Sequence, residues 1–132
     1  MKLVDCKRIL VIEDEISISR ILALNLREYG YEVMVAVDGE SGLEQVSRNI
    51  PPDLIILDLM LPDLSGEEVC KRIREDDREE VNRIPIIMAT AKSSDADRII
   101  GKVIGASRYL TKPYSTEALL REIGQLLHGN GK

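Results

Sequence analysis

The chain has 132 residues, of which 44% are hydrophobic and 31% charged, so it has the size of one domain and is too apolar for intrinsic disorder. A formal net charge of -5 argues against nonspecific nucleic-acid binding, because that binding needs a basic face that displaces counterions. Cys6 and Cys70 are too few and too scattered for a disulfide framework or a zinc site.

The N-terminal part predicts a strand followed by an amphipathic helix. Charged residues interrupt the segment 1–15 before its apolar run reaches signal-peptide or membrane length, so we expect a cytoplasmic protein with no membrane contact. Arg8–Ile12 is a β-branched run that predicts the first strand. The first helix is predicted from apolar residues at helical spacing, with a stop at Gly30: Ile18, Ile21, Leu22, Leu26 and Tyr29.

The middle of the chain predicts two more strands and two more helices. Glu32–Val37 is the second predicted strand, and a helix follows from about Ser41 to Asn49, where Pro51 breaks it. The third strand, Leu54–Asp58, is apolar throughout, which is typical of a central parallel strand that is buried on both faces. A helix from Gly66 to about Glu75 is expected to bury Val69 and Ile73.

The C-terminal part continues the alternation. The charged stretch 75–83 is interpreted as a solvated helix end and loop before a fourth strand, Ile84–Thr90. A helix over 93–107 is weakened by Gly101, and a fifth strand, Arg108–Tyr114, is stopped by Pro113. A last helix begins at Ser115 and is predicted to bury four residues: Leu119, Ile123, Leu126 and Leu127. The domain core is expected over about 7–127, with a flexible polar tail over 128–132 in which His128 has no role.

This alternation of strands and helices predicts an α/β fold, with a parallel sheet covered by helices on both faces. In such folds, ligands bind at the carboxyl ends of the strands. The side chains predicted at those ends are Glu13, Asp14, Glu15, Asp58, Thr90 and Lys112.

The acidic residues after the first strand indicate which ligands that edge accepts. A phosphate-binding domain has a glycine-rich loop there, whereas Glu13, Asp14 and Glu15 repel a phosphate, which disfavours flavin or dinucleotide cofactors. Asp14 and Asp58 are candidate ligands of Mg²⁺, which prefers oxygen donors, with Glu13 reaching the ion through water. An alternative stays open, in which residues 13–15 only begin a helix, where acidic residues suit the macrodipole.

Three further residues have a chemical and a structural interpretation. Asp58 ends an apolar strand, where an unpaired polar group costs about 2–7 kcal/mol; it is either a nucleophile toward phosphorus or a loop cap. Lys112 either holds a phosphate as a point charge or is a solvated surface residue. Thr90 is either a hydroxyl donor to a phosphoryl oxygen or the N-cap of the next helix.

Four motifs occur in order along the chain: "ED" at 13–14, "LDLMLPDLSG" from Leu57, "MATA" from Met88 and "YLTKPY" from Tyr109. Together they resemble the CheY-like receiver domains of two-component response regulators, over roughly Lys7–Leu127. The resemblance implies a single receiver domain over 1–132 with a doubly wound, five-stranded parallel sheet in the flavodoxin-like order 2-1-3-4-5.

The resemblance also implies residue roles. Asp58 is the phosphoacceptor, and Mg²⁺ or Mn²⁺ is held by Asp14, Asp58 and the backbone carbonyl of Met60, with Glu13 as the outer acidic partner. Thr90 and Tyr109 match the switch residues, Lys112 the phosphate-binding lysine, and Pro113 a proline that usually follows a cis peptide bond. Met60 and Lys92 flank the site and are expected to tune the lifetime of the phosphoryl group.

The implied partners are proteins. A sensor histidine kinase or a histidine phosphotransfer protein donates the phosphoryl group, and a downstream effector protein or output domain reads the surface formed by the helix over 93–107, the fifth strand and the last helix. No nucleic acid contacts the domain directly. The domain catalyses its own phosphorylation and dephosphorylation, but it is a signalling switch rather than an enzyme.

The sequence leaves two questions about partner surfaces open. Tyr114 stands where Phe is frequent, and Arg108 lies in a stretch where acidic residues are frequent; neither departure affects the chemistry. Arg108 weakens an assignment to the acidic dimerisation face of many DNA-binding members, so a homodimer stays undecided. The helix over 93–107 has more apolar residues than one inward stripe needs, so Ile99 and Val103 are either core or a partner contact.

Two other classes of protein are considered. A pseudo-receiver binds a partner without phosphorylation and is expected to lose the acidic pair, the acceptor or the lysine, all of which are present here. A phosphatase of the haloacid dehalogenase type needs a second Asp two residues after the nucleophile, where this chain has Met60.

Overall fold

A computed structural model of the chain describes residues 6–48, 50–91 and 105–129. Their strands form one five-stranded sheet in the order 2-1-3-4-5, in which every neighbouring pair is parallel. This confirms the predicted fold class and strand order. The strands are β1 (Arg8–Ile12), β2 (Glu32–Ala36), β3 (Leu54–Asp58), β4 (Ile86–Thr90) and β5 (Arg108–Thr111).

Helices connect the strands and cover both faces of the sheet. They are α1 (Ile16–Glu28), α2 (Gly39–Val46), α3 (Gly66–Arg74), the short α4 (Glu79–Asn82) and α5 (Thr116–His128). On one face, α1 and α5 bury residues such as Leu26 and Ile123 against the sheet. On the other, α2, α3 and α4 bury residues such as Val46 and Val69. Alternate residues of each strand point to opposite faces and enter these two cores in turn.

The buried stripe of α1 differs from the set of apolar residues that predicted the helix. Ser19, Leu22, Ala23 and Leu26 face the sheet, whereas Ile18, Ile21 and Tyr29 are exposed. The small residues Ser19 and Ala23 complete the stripe because they let α1 lie close to the sheet. The pattern of large apolar residues therefore identified the helix, but only Leu22 and Leu26 of those five residues belong to its inner face.

The helix and strand ends also shift. The predicted helix over Ser41–Asn49 is Gly39–Val46, because the Asp38 side chain accepts a hydrogen bond from Ser41 N at 2.8 Å and begins the helix earlier. Strand β5 ends at Thr111 rather than at Tyr114. Ser115 is the N-cap of α5, as expected, with its hydroxyl accepting from Ala118 N at 2.9 Å.

The charged stretch 75–83 was predicted as a solvated helix end and loop; most of it is solvent-accessible, but the prediction missed a short helix. It contains α4, whose Val81 is buried in the core. Arg74 fixes the ends of this segment through its guanidinium, which donates to the carbonyls of Asn82 (3.1 Å), Ile84 (2.8 Å) and Gly105 (2.9 Å). One arginine thus donates hydrogen bonds to three backbone carbonyls, at the end of α4, just after it and before β5.

The structure also bears on the predictions for the cysteines, for the last helix and for membrane-spanning segments. Cys6 and Cys70 are free thiols, the first exposed and the second buried. Leu119 and Ile123 are buried in α5, whereas Leu126 and Leu127 are only partly buried. Within the described ranges, no helix combines the length and apolar character needed to cross a membrane. The predicted helix over 93–107 lies mainly outside the described residues, as do Lys92, Ile99 and Val103.

Candidate functional site

The candidate residues meet at the carboxyl ends of the strands. Glu13 follows β1, Asp58 and Thr90 are the last residues of β3 and β4, and Lys112 follows β5. Backbone hydrogen bonds between neighbouring strands continue past the strand ends, since Glu13 N donates to Ala36 O at 3.0 Å and Lys112 N donates to Thr90 O at 2.7 Å. Parallel pairing therefore brings these four residues to one rim of the sheet.

Three carboxylates form an acidic cluster at this rim. Glu13, Asp14 and Asp58 each offer an oxygen atom, and these atoms all lie within 4.8 Å of one another. Glu13 and Asp58 are buried, with 6% and 7% of their surfaces exposed, whereas Asp14 is open to solvent. Carboxylates this close repel one another unless a proton or a cation neutralises them. The all-oxygen donor set fits Mg²⁺ or Mn²⁺.

Lys112 supplies the positive charge that faces this cluster. Its Nζ lies 2.9 Å from Glu13 Oε1 and 3.6 Å from Asp58 Oδ1. Burial alone lowers the pKa of Lys112, but the hydrogen bond to Glu13 and the attraction of Asp58 outweigh burial and raise its pKa above the usual value. The lysine is therefore charged at neutral pH and provides a cation at this rim.

The surroundings of Asp58 disfavour the ionised form of its carboxyl group. Burial raises the pKa of Asp58 above its ordinary value, and the Glu13 carboxylate adds to the rise. Lys112 and the backbone N–H of Met60 oppose it, the latter donating to Asp58 Oδ1 at 3.4 Å. Asp58 is thus a carboxylate in an environment that favours its neutral form, so its charge is stabilised by binding a cation.

The loop after β3 folds back beneath Asp58. The Met60 side chain is exposed, while its N–H faces the Asp58 carboxylate. Gly66 N donates to Leu59 O at 2.8 Å and closes the loop. A Cβ on Gly66 would lie 2.5 Å from Asp58 O and 2.8 Å from Leu59 Cα, so only glycine fits. Gly66 was assigned no role from the sequence, although the "LPDLSG" stretch contains the turn residues that mark such a loop.

The two expected switch residues lie on neighbouring strands. Thr90 is fully buried, and Tyr109 in β5 is aligned with Met88 in β4 and packs against the core on that face. Alternation along β4 places Thr90 on the same face as Met88, and hence as Tyr109. The Lys112–Pro113 peptide bond is cis, as the resemblance implies. Tyr114 lies close enough to interact electrostatically with Lys112, although it was noted from the sequence only as a departure from Phe.

Comparison with known proteins agrees with this geometry. Residues 9–124 match the response regulator receiver domain family. The chain is 42% identical over 121 residues to the alkaline phosphatase synthesis transcriptional regulatory protein PhoP of Bacillus subtilis, covering 92% of this chain and 48% of PhoP. Among solved structures, it is similar to the Vibrio cholerae chemotaxis protein CheY4, with a TM-score of 0.85, 32% identity and coverage of 92% of this chain and 99% of that one. The receiver domain of Francisella response regulator 1452 gives a TM-score of 0.84 and 30% identity, covering 92% and 97%.

The fold and the acidic rim are those of a CheY-like α/β domain, and the family match spans most of the chain. The chain therefore belongs to the response regulator receiver domain family of two-component signalling. It spans about half the length of the curated relatives it matches.

Proposed function

We propose that this chain is a phosphorylation-dependent switch in which Asp58 accepts a phosphoryl group from a phosphohistidine or from a small phosphodonor. The main support is the position of Asp58. Its Oδ1 lies 3.6 Å from Lys112 Nζ, and its carboxylate lies in the cluster with Glu13 and Asp14. A nucleophile, a cation and a metal-binding set meet at one rim.

In the proposed reaction, an Asp58 carboxylate oxygen attacks phosphorus in line with the leaving group. A new P–O bond forms, and the P–N bond of phosphohistidine, or the P–O bond of acetyl phosphate, breaks with its electron pair passing to the leaving atom. Lys112 stabilises the charge on the phosphoryl oxygens. Glu13, Asp14, Asp58 and the Met60 carbonyl would hold Mg²⁺, which when bound neutralises the transferring group.

The product of this reaction is a state of the domain itself. The phosphoryl group stays on Asp58 of the same chain whose residues promote the transfer, so we propose a signalling switch and not an enzyme with a released product. A cytoplasmic location, expected from the sequence, is part of this proposal.

The switch is proposed to run from Thr90 to Tyr109. The Thr90 hydroxyl moves onto a phosphoryl oxygen and leaves space that the Tyr109 ring fills by turning inward. The shared face of these residues on β4 and β5 supports a coupling between them. The surface around β5 and α5 then changes, and an effector protein or output domain reads that change.

A protein phosphodonor is supported by the surface beside the site. A groove of about 540 Å³ runs between α1 and the segment after β5. Its walls include the exposed Ile18 and Ile21, and Lys112 lines the same groove. Exposed large apolar side chains next to a reactive rim are typical of a protein contact surface. We therefore propose that a histidine kinase or a histidine phosphotransfer protein binds there.

Intact mass after incubation with acetyl phosphate tests the proposal. Native protein, Asp58→Asn and Asp77→Asn are compared with and without Mg²⁺; Asp77 is an exposed carboxylate between α3 and α4 and serves as the matched control. We expect one phosphoryl adduct in the native and Asp77→Asn proteins, dependent on Mg²⁺, and none in Asp58→Asn.

Two results would contradict the proposal. An adduct that persists in Asp58→Asn would assign the acceptor to another residue. No adduct in any of the three folded proteins, either with acetyl phosphate or with a panel of phosphorylated histidine kinases, would favour the pseudo-receiver, which binds its partner without phosphorylation.

A further inference from the structure

Asp63 connects two segments that are far apart in the sequence. It lies in the loop after β3, which we call the acceptor loop and define as Leu59–Ser65. Its carboxylate accepts backbone hydrogen bonds from Gly39 N at 2.8 Å and Glu40 N at 2.9 Å, and from Leu64 N at 2.8 Å. Gly39 and Glu40 begin α2, where backbone N–H groups have no partner within the helix.

The charge of Asp63 suits this position. A carboxylate at a helix N-terminus is stabilised by the helix dipole and by charge-assisted hydrogen bonds. The hydrogen bonds from Glu40 N and Gly39 N hold the pKa of Asp63 below its usual value, so the group is ionised at neutral pH. Each of its two oxygens accepts a hydrogen bond from α2. A side chain with one hydroxyl or one carbonyl oxygen does not reproduce this pair of bonds.

Apolar packing fixes the same contact. A Cβ on Gly39 would lie 2.9 Å from Leu64 Cβ and 3.0 Å from Val69 Cγ2. The start of α2 therefore lies directly against the acceptor loop and α3. Because side-chain packing and hydrogen bonds coincide, the contact has one defined geometry.

The acceptor loop is also held at its base, next to Asp58. The bond from Gly66 N to Leu59 O closes the loop, and Met60 N faces Asp58 Oδ1. Met60 and Leu61 lie between this base and Asp63. Without the Asp63 hydrogen bonds, only the apolar packing of Leu61 and Leu64 restrains this part of the loop beyond its base.

We propose that Asp63 is a positioning residue that clamps the acceptor loop to the first turn of α2 and so keeps the Met60 carbonyl in place for a divalent cation. This inference rests on the proposed function of the rim as a Mg²⁺-dependent phosphoacceptor site. Because Asp63 itself does not enter the acidic cluster, its effect reaches the cation only through the loop.

A matched pair of variants separates this role from simple helix capping. Asp63→Ala removes the two hydrogen bonds that the acceptor loop accepts from α2. Asp38→Ala removes another acceptor at the same helix end, the bond from Ser41 N at 2.8 Å, without touching the acceptor loop. Urea unfolding checks that both variants fold. Asp63→Asn, which retains one acceptor oxygen, replaces Asp63→Ala if the latter does not fold.

Two measurements are made on each protein. Backbone ¹⁵N order parameters of Met60 and Leu61 without cation report loop mobility directly, and calorimetry gives the dissociation constant for Mg²⁺. In Asp63→Ala we expect the order parameters to fall from a rigid value of about 0.85 toward 0.6. We also expect Mg²⁺ to bind at least about threefold more weakly, less than the roughly tenfold lost when a direct partner of a ligand is removed. Asp38→Ala should match the native protein in both.

The outcomes are decisive. Unchanged order parameters and Mg²⁺ affinity in Asp63→Ala, or equal changes in Asp38→Ala, would overturn the clamp and leave Asp63 as a helix cap. If the native protein bound no Mg²⁺, the proposed function would fail, and the order parameters alone would then decide whether Asp63 restrains the loop.

Discussion

Lys112 lies closer to Glu13 than to the proposed acceptor: its Nζ is 2.9 Å from Glu13 Oε1 and 3.6 Å from Asp58 Oδ1. The lysine is hydrogen-bonded to the outer acidic residue and only loosely paired with Asp58. A phosphoryl group arriving at Asp58 would therefore compete with Glu13 for the ammonium group. Glu13 holds the lysine at the rim, ready for that exchange.

Removing the lysine charge should slow phosphorylation. In Lys112→Met, we expect the initial rate of adduct formation from acetyl phosphate at pH 7 to fall by about a hundredfold, a size typical of losing one charge-stabilising donor. Lys112→Arg should retain part of the rate because it keeps the charge. Lys71→Met, at an exposed lysine of α3, is the control and should match the native protein. Equal rates in Lys112→Met and native protein would show that Lys112 is not needed for transfer.

Neutralising Asp58 should stabilise the fold at neutral pH in the absence of divalent cations. The native state favours protonated Asp58, because burial and Glu13 raise its pKa above the unfolded value. Between those two pKa values the folded state binds more protons than the unfolded state, so the free energy of unfolding falls as the pH rises through that window. The cost of the buried charge is therefore fully present above the raised pKa and absent below the unfolded value.

Asp58→Asn removes this cost, so we expect its free energy of unfolding at pH 7 to exceed that of the native protein by on the order of 1 kcal/mol. The difference should disappear as the pH falls below the ordinary pKa of an aspartate. Urea unfolding at a series of pH values in EDTA measures it. A less stable Asp58→Asn at pH 7 would contradict the direction of the pKa shift.

The rim was predictable from the sequence because it depends on strand ends. Leu54–Asp58 and Ile86–Thr90 are fully buried strands, so their continuous apolar runs identify both the strands and the residues that end them. Once the strands are parallel, their carboxyl ends must meet, and Glu13, Asp58, Thr90 and Lys112 come together without knowledge of any side-chain contact. The ordered motifs then supplied their roles.

The inner face of α1 and the interior of 75–83 were not predictable in this way. Ser19 and Ala23 are buried because close packing of α1 on the sheet favours small side chains. This packing is a tertiary contact, so the apolar pattern of the helix alone does not indicate it. Val81 is an apolar residue surrounded by charges, and it is buried because α4 docks on the core. Asp63 was missed for a similar reason, since its partners in α2 are 23 and 24 residues away.

Gly66 should tolerate no side chain, unlike a glycine with free space. Gly66→Ala would bring Cβ within 2.5 Å of Asp58 O, and we expect it to lower the free energy of unfolding by about 1–3 kcal/mol, as overpacking does. Gly124 lies within α5, and outside its own helix backbone no atom of the described residues lies within 4 Å of the point that a Cβ would occupy. Gly124→Ala should therefore stabilise the protein by about 0.5–1 kcal/mol. Urea unfolding compares the two variants. A neutral Gly66→Ala would mean that the acceptor loop relaxes without cost.

Met60 should influence how long the phosphoryl group lasts. Met60 is 61% exposed and lies two residues after Asp58, so we expect it to affect the approach of water to an acyl phosphate there. We expect Met60→Ser to change the rate of autodephosphorylation severalfold while leaving the free energy of unfolding nearly unchanged, because an exposed substitution usually shifts it by less than about 0.5 kcal/mol. Decay of the adduct after removal of acetyl phosphate is the measurement. An unchanged decay rate would refute the role of Met60.

The stabilisation of the protein by Mg²⁺ should depend on Asp14. A ligand that binds only the folded state stabilises it by mass action, about 1.4 kcal/mol when its concentration is ten times the dissociation constant. Asp14 is the solvent-exposed member of the acidic cluster, so we expect Asp14→Asn to disturb the cation-free fold little while removing one proposed ligand. We expect MgCl₂ to raise the urea midpoint of the native protein but not of Asp14→Asn, with Asp77→Asn behaving like the native protein. NaCl at matched ionic strength separates binding from screening, since screening would affect all three proteins alike. Equal Mg²⁺-dependent shifts in the native protein and Asp14→Asn would remove Asp14 from the proposed ligand set.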